Sequence, residues 1–272
     1  MRKIRKLLKS VAYTFIVLVV LAVAGVVAVA LLADKVVQKA VEKAGTQTLS
    51  VPVKVGKADV AVLRGAVDLQ KTSVGNPAGF QGPALLTLER VNIAADTGSL
   101  LSKQVHITEM RLANMEVFVD QQGLRNNLYE VIKPLREPRA PTGKSLLIDN
   151  LEIANITVHA SLSGIPGKPQ TAQFTLGNIT MTDLGRNEKV DTAVLISKIL
   201  LAVAAGVAQQ GGDILPKETL GEITGMLGKA VDIGKIIFGP GGKTPDGQPQ
   251  DSLGKSVTEG IKDLLGGKKK KQ

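Results

Sequence analysis

Two histidines, His106 and His159, are the side chains best suited to acid–base or metal chemistry in this chain. Each interrupts a strand-like run, and neither belongs to a constellation of further ligands or of nucleophile and base. A structural or simply exposed role is therefore expected of both. Cysteine is absent, which removes thiolate nucleophiles, disulfide scaffolds and cysteine zinc sites together. Gly241-Gly-Lys-Thr244 ends like a phosphate-binding loop. Ile237 stands where that loop needs its first glycine, a helix is read where a strand must precede it, Pro240 falls inside it, and linker rather than helix follows. No Gly-x-Ser-x-Gly elbow and no acidic cluster is found. Asn155-Ile-Thr157 and Asn178-Ile-Thr180 fit the glycosylation sequon, yet both fall inside predicted strands. The expectation is a protein without catalytic residues, metal or cofactor.

What remains to do chemistry is charge and aliphatic surface. The 272 residues carry 34 Lys+Arg against 24 Asp+Glu, a formal charge of +10. With five Phe, two Tyr and no Trp there is almost no platform for stacking bases, so nucleic acid is not expected as a partner. The charge sits at the ends. Arg2, Lys3, Arg5, Lys6 and Lys9 open the chain, and Lys268, Lys269, Lys270 and Lys271 close it, leaving the middle close to neutral.

From Ser10 to Ala33 no residue is charged. As a helix this stretch would run roughly 36 Å, enough to cross a hydrocarbon core of about 30 Å. Basic residues precede it and mixed charges follow. The expected topology has a cytoplasmic segment 1–9, a span 10–33, and the rest on the far side of a bacterial inner membrane. A cleaved signal peptide ending near Ala28-Val-Ala30 is the alternative, but the apolar run is longer than a signal core of roughly 7–15 residues. The lysine tail reads either as a solvated terminus or as a contact with anionic headgroups, to which the N-terminal cluster would also bind.

Residues 34–50 are expected as a juxtamembrane helix or linker, and 51–189 as a β-rich domain. Val51, Val53 and Val55, Val60 and Val62, and Val67 and Leu69 alternate with other residues, which is a strand signal. Within the domain lies a repeat. Val105-His-Ile-Thr-Glu-Met-Arg-Leu-Ala-Asn-Met-Glu-Val117 aligns without gaps on Leu146-Leu-Ile-Asp-Asn-Leu-Glu-Ile-Ala-Asn-Ile-Thr-Val158. Leu86–Ile93 and Phe174–Met181 carry shorter forms. The beat is apolar-x-apolar-x-x, which in a flat strand would turn each apolar pair to the opposite face. A bulge or bend at every step keeps the apolar residues on one face and curves the sheet. A pentapeptide-repeat β-helix shares the beat, but a solenoid needs more consecutive units than are present. Residues 190–238 read as helical: a buried Ala-rich helix from Thr192, then an amphipathic one over Lys217–Phe238 weakened by Gly221, Gly225, Gly228 and Gly234. Residues 239–272 read as flexible linker and basic tail.

Val67–Phe80 with its Asn76-Pro-Ala-Gly79-Phe80 turn, Asp96–Leu101, Val105–Val119 and Asn127-Leu-Tyr-Glu-Val-Ile132 follow the basic N-terminus and span in an order that resembles the N-terminal region of the AsmA family. The sequence is similar also to the wider class of repeating β-groove, bridge-like lipid transfer proteins. The resemblance covers roughly 1–183. It implies a single-pass inner-membrane protein whose periplasmic sheet offers an apolar trough to acyl chains, in envelope lipid transport or outer-membrane homeostasis. Roughly eight strands at about 4.8 Å would make a trough of about 40 Å, too short to bridge two membranes alone. The fold expected is α+β: an N-terminal transmembrane helix, a curved, mainly antiparallel sheet with an apolar concave face, and C-terminal helices. Ile107, Leu112, Val117, Ile148, Ile153 and Val158 are the candidate lipid contacts, and membrane lipids the expected partners. The alternative is a non-catalytic scaffold or assembly protein that binds other envelope proteins through sheet edges and the C-terminal helices.

Overall fold

A computed structural model describes residues 32–123, 125–136, 144–163, 171–211, 216, 221 and 236–238. The basic N-terminal segment, the expected span as far as residue 31, the Gly241–Thr244 stretch and the lysine tail lie outside the described residues. A helix α1 over 32–49 leads into strands β1 (Val53–Ala61), β2 (Ala66–Val74), β3 (Leu86–Ala95) and β4 (Gln104–Gln122). The short β5 (Arg125–Asn126) and helix α2 (Asn127–Ile132) precede β6 (Ser145–Ser163), β7 (Thr171–Leu176) and β8 (Ile179–Leu184). Helix α3 (Thr192–Gln210) and strand β9 (Ile236–Phe238) complete the described elements.

All nine strands share one sheet, in the order β1-β2-β3-β4-β6-β8-β9, with β5 on β4 and β7 on β6. Every pairing is antiparallel except the central one, β4 on β6, each 19 residues long. The two copies of the repeat form that parallel pair. Val105 faces Leu146, Leu112 faces Ile153 and Val117 faces Val158, at a constant offset of 41 residues. A parallel neighbour needs a crossover that returns the chain to the starting end, and the segment carrying α2 begins that return.

The expected bends are present, aligned across the sheet. The ladders skip Gly56 opposite Lys71, Lys71 opposite Glu89, Glu89 opposite Asn114, and Asn114 opposite Asn155. Between Leu176 and Ile179 the line continues as the break from β7 to β8. Lys71, Asn114 and Asn155 have φ of 53°, 56° and 56°. Asparagine is among the few residues that enter this left-handed region readily. A second line crosses Thr108, Asp149 and Asp183, the last at φ 57°. On the outer face Asn155 donates to Asn114 Oδ1 at 3.0 Å and Asn114 donates to Glu89, so a polar ladder runs along the first crease.

One expectation is corrected. Ile236–Phe238, read as the end of an amphipathic helix, is a strand paired with Ile179–Met181 of β8. The run Ile-Ile-Phe suits a strand, and β8 offers an edge whose backbone groups need partners. The other residues of that predicted helix lie outside the described residues, apart from Gly221, which is helical. The buried helix from Thr192 is present as α3, started by Asp191, whose Oδ1 accepts from Val194 N at 2.9 Å. It is long and apolar enough to span a bilayer, but 56% of its apolar window is buried inside the fold.

Candidate functional site

The inner face of the sheet is where the repeat puts its side chains. Within the repeat, the large buried side chains of β4 are Ile107, Met110, Leu112, Met115 and Val117, and those of β6 are Ile148, Leu151, Ile153, Ile156 and Val158. The spacing alternates between three and two, with each three spanning a crease. The creases thus restore to one face what simple alternation would scatter. The six candidate lipid contacts fall into three directly facing pairs: Ile107 with Ile148, Leu112 with Ile153, and Val117 with Val158. Ile107 is 6% exposed, Leu112 3%, and the other four 0%.

This aliphatic face is covered by the protein itself. It forms one hydrophobic cluster with Leu128, Val131 and Ile132 of α2 and with Leu195, Leu200, Leu201, Val203 and Val207 of α3. Val37 and Val41 of α1 pack against the same cluster. Helix α3 touches α2, β7 and β8. Apolar on nearly every side, it suits a place between surfaces rather than on one.

At one end of the sheet the stretches Asn76–Phe80 and Asn127–Ile132 clasp each other. The buried Asn127 side chain donates to Asn76 Oδ1 at 2.9 Å and to Phe118 O at 2.7 Å. Its Oδ1 accepts from Asp120 N and from Leu128 N, both at 2.8 Å. All the bonds an amide side chain ordinarily makes are therefore used. Asn126 caps α2 through Tyr129 N at 3.0 Å, and Arg125 lies over the Phe80 ring at 5.0 Å. Asn127 was legible only as one member of a motif, because its partners are up to 51 residues away.

A second device was missed altogether. Asp34, Gln38, Glu42 and Thr46, one per turn of α1, face the free edge of β1. Asp34 Oδ1 accepts from Val60 N at 2.7 Å, Glu42 Oε1 from Val55 N at 3.1 Å, and Thr46 Oγ1 from Val53 N at 3.0 Å. Gln38 Nε2 donates to Val55 O at 2.6 Å. Lys39 donates to Glu42 at 2.7 Å, and this bond together with the Val55 amide holds the Glu42 carboxyl below the usual carboxylate range against the opposing effect of burial.

The histidines lie on the outer face of the sheet. His106 Nε2 is 2.7 Å from Asp149 Oδ2 across the β4–β6 pair, and His159 stacks on Phe118 with ring centroids 5.0 Å apart. Asn155 stands at its crease within β6. Asn178, expected inside a strand, instead lies in the break between β7 and β8, where the line of creases interrupts the pairing, and its side chain donates to Glu152 Oε1 at 3.0 Å. Among the described residues no group of three or more His, Asp or Glu is placed to hold a metal ion.

No curated protein and no solved structure matches the chain. A family model does, over residues 1–182, which takes in the apolar N-terminal stretch, α1 and the creased sheet as far as β8. With that match covering most of the chain and with the repeat folded into one curved sheet, this protein belongs to the AsmA family.

Proposed function

We propose that this chain is an inner-membrane-anchored, periplasmic lipid-binding protein of envelope lipid transport or outer-membrane homeostasis. The observation that carries the reading is the continuous aliphatic face made by the facing pairs of β4 and β6, within the part of the chain that matches the family. AsmA membership is consistent with envelope lipid transport or assembly. In this reading residues 10–33 form the anchor, and Ile107, Leu112, Val117, Ile148, Ile153 and Val158 line the acyl-chain trough. Helix α3 begins beyond the matched residues and packs into the same hydrophobic cluster as that face, so it acts as a cover that cargo displaces.

The scaffold alternative relies on free sheet edges. The α1 side chains already occupy the β1 edge, which favours the lipid reading. The test is photocrosslinking of the full chain in membranes containing a phospholipid with a photoactivatable acyl chain. Lipid adducts mapping to β4, β6 or α3 are expected. Adducts confined to residues 10–33, with efficient crosslinks to other proteins elsewhere, would replace this reading with the scaffold.

A further inference from the structure

The exposed large hydrophobic side chains of the described residues are Leu32, Val36, Val62, Leu63 and Leu101, the last two at 83% and 96%. They come from three separate places in the chain and gather at one end of the sheet. Leu32 and Val36 flank Asp34, whose carboxylate holds Val60 N at the top of β1. Val62 and Leu63 form the turn from β1 to β2, and Leu101 lies in the turn from β3 to β4. The two turns touch, and they are locked together. Ala95 N donates to Gly65 O at 2.7 Å. Gly65 has φ 63°, and a Cβ there would sit 2.1 Å from Ala95 O, so only glycine allows this approach.

Isolated exposed leucines need no explanation, but a cluster held rigidly at one tip does. In sequence, Leu32 is itself part of the charge-free stretch 10–33, which ends at Asp34. The turns also bring bases: Arg64 follows Leu63, Lys103 is two residues beyond Leu101, and Lys144 donates to Leu100 O at 2.9 Å, while the acids at this end, Asp34 and Asp96, accept from the backbone N–H groups of Val60 and Gly98. Apolar tips with bases beside them, close in sequence to an apolar stretch, have the make-up of a surface that dips into the acyl boundary while its cations meet anionic headgroups.

We infer that this end of the domain is a second membrane contact, with Leu63 and Leu101 inserted into the bilayer surface beside the anchor and Arg64, Lys103 and Lys144 at the headgroup level. The inference rests on the anchored reading above. It adds that the sheet stands on the membrane with one end down, rather than swinging from a tether.

Because the chain has no cysteine, single labels are clean. The full chain carrying Leu63→Cys, Leu101→Cys or Ala78→Cys, each with an environment-sensitive fluorophore, is placed in phosphatidylethanolamine–phosphatidylglycerol nanodiscs. Ala78 is exposed at the opposite end of β2, about 30 Å away along the strand. Labels at 63 and 101 are expected to be quenched by iodide about threefold less than the label at 78, and to be quenched by shallow spin-labelled lipid when the label at 78 is not. Equal iodide quenching at all three sites, in protein that co-elutes with nanodiscs, would overturn the docked tip and leave the anchor standing. Protein that never co-elutes with nanodiscs would overturn both.

Discussion

At the scale of single residues, the creases depend on side chains that accept a left-handed backbone. Asn155, at φ 56° and bonded to Asn114, is the clearest case. Asn155→Val places a β-branched residue where φ is positive and should cost about 1–3 kcal/mol in chemical denaturation, whereas Asn155→Gly should stay within about 1 kcal/mol of the parent. Similar losses for both would assign the site's importance to the amide side chain instead. Asn127→Ala strands Phe118 O and Asp120 N inside the protein and should cost about 2–4 kcal/mol, the sum of more than one buried group left unpaired. The aliphatic face was readable because its beat is written in the sequence. The hydrogen-bond partners of Asn127 were not, since nothing local shows that residues 76 and 118 converge on it.

At the scale of elements, α1 and β1 form a helix-on-edge joint whose strongest acceptor is a carboxylate. Glu42 has its folded-state pKa below the ordinary value, so its contribution is present above the unfolded pKa and fades as pH falls through the folded one. Amide exchange at Val55, corrected for the intrinsic rate, should therefore accelerate relative to the β4–β6 ladder as pH drops below the usual glutamate range. In Glu42→Gln this relative acceleration should be absent. The joint could not be foreseen: Asp34, Gln38, Glu42 and Thr46 look like the wet stripe of any amphipathic helix until a sheet edge is set against them. The direction of the β4–β6 pair was hidden for another reason. Apolar spacings that alternate between three and two still alternate when read backwards, so the repeat specifies a shared face and shared creases but not whether the copies run together. The antiparallel β3 carries the same beat and its crease falls in line. Ile236–Phe238 was misread because Leu220 through Ile237 keep a helical spacing, while the pull of the β8 edge lies far off in sequence.

At the scale of the molecule, sheet and helices share a single core. Although residues 190–238 differ in composition from the strands before them, α3 belongs to the same hydrophobic cluster as β4 and β6. Thermal unfolding should then show one transition, with helix and sheet signals melting together. A separate, earlier loss of helical signal would mean that α3 has its own, weaker attachment. The formal +10 gains meaning at this scale too: most of it sits at the two termini, and Arg64, Lys103 and Lys144 stand at the exposed tip of the sheet. The ladder between α1 and β1 finally has a mechanical consequence. Its side chains stand about one turn apart along α1, their partners on β1 run from Val53 through Val55 to Val60, and α1 runs opposite to β1. A force drawn along the helix from its N-terminus loads these bonds together, in shear, instead of peeling them one after another. Drag or tension on residues preceding α1 is thus carried into the sheet as a shared load, and the helix works as a strut rather than a leash.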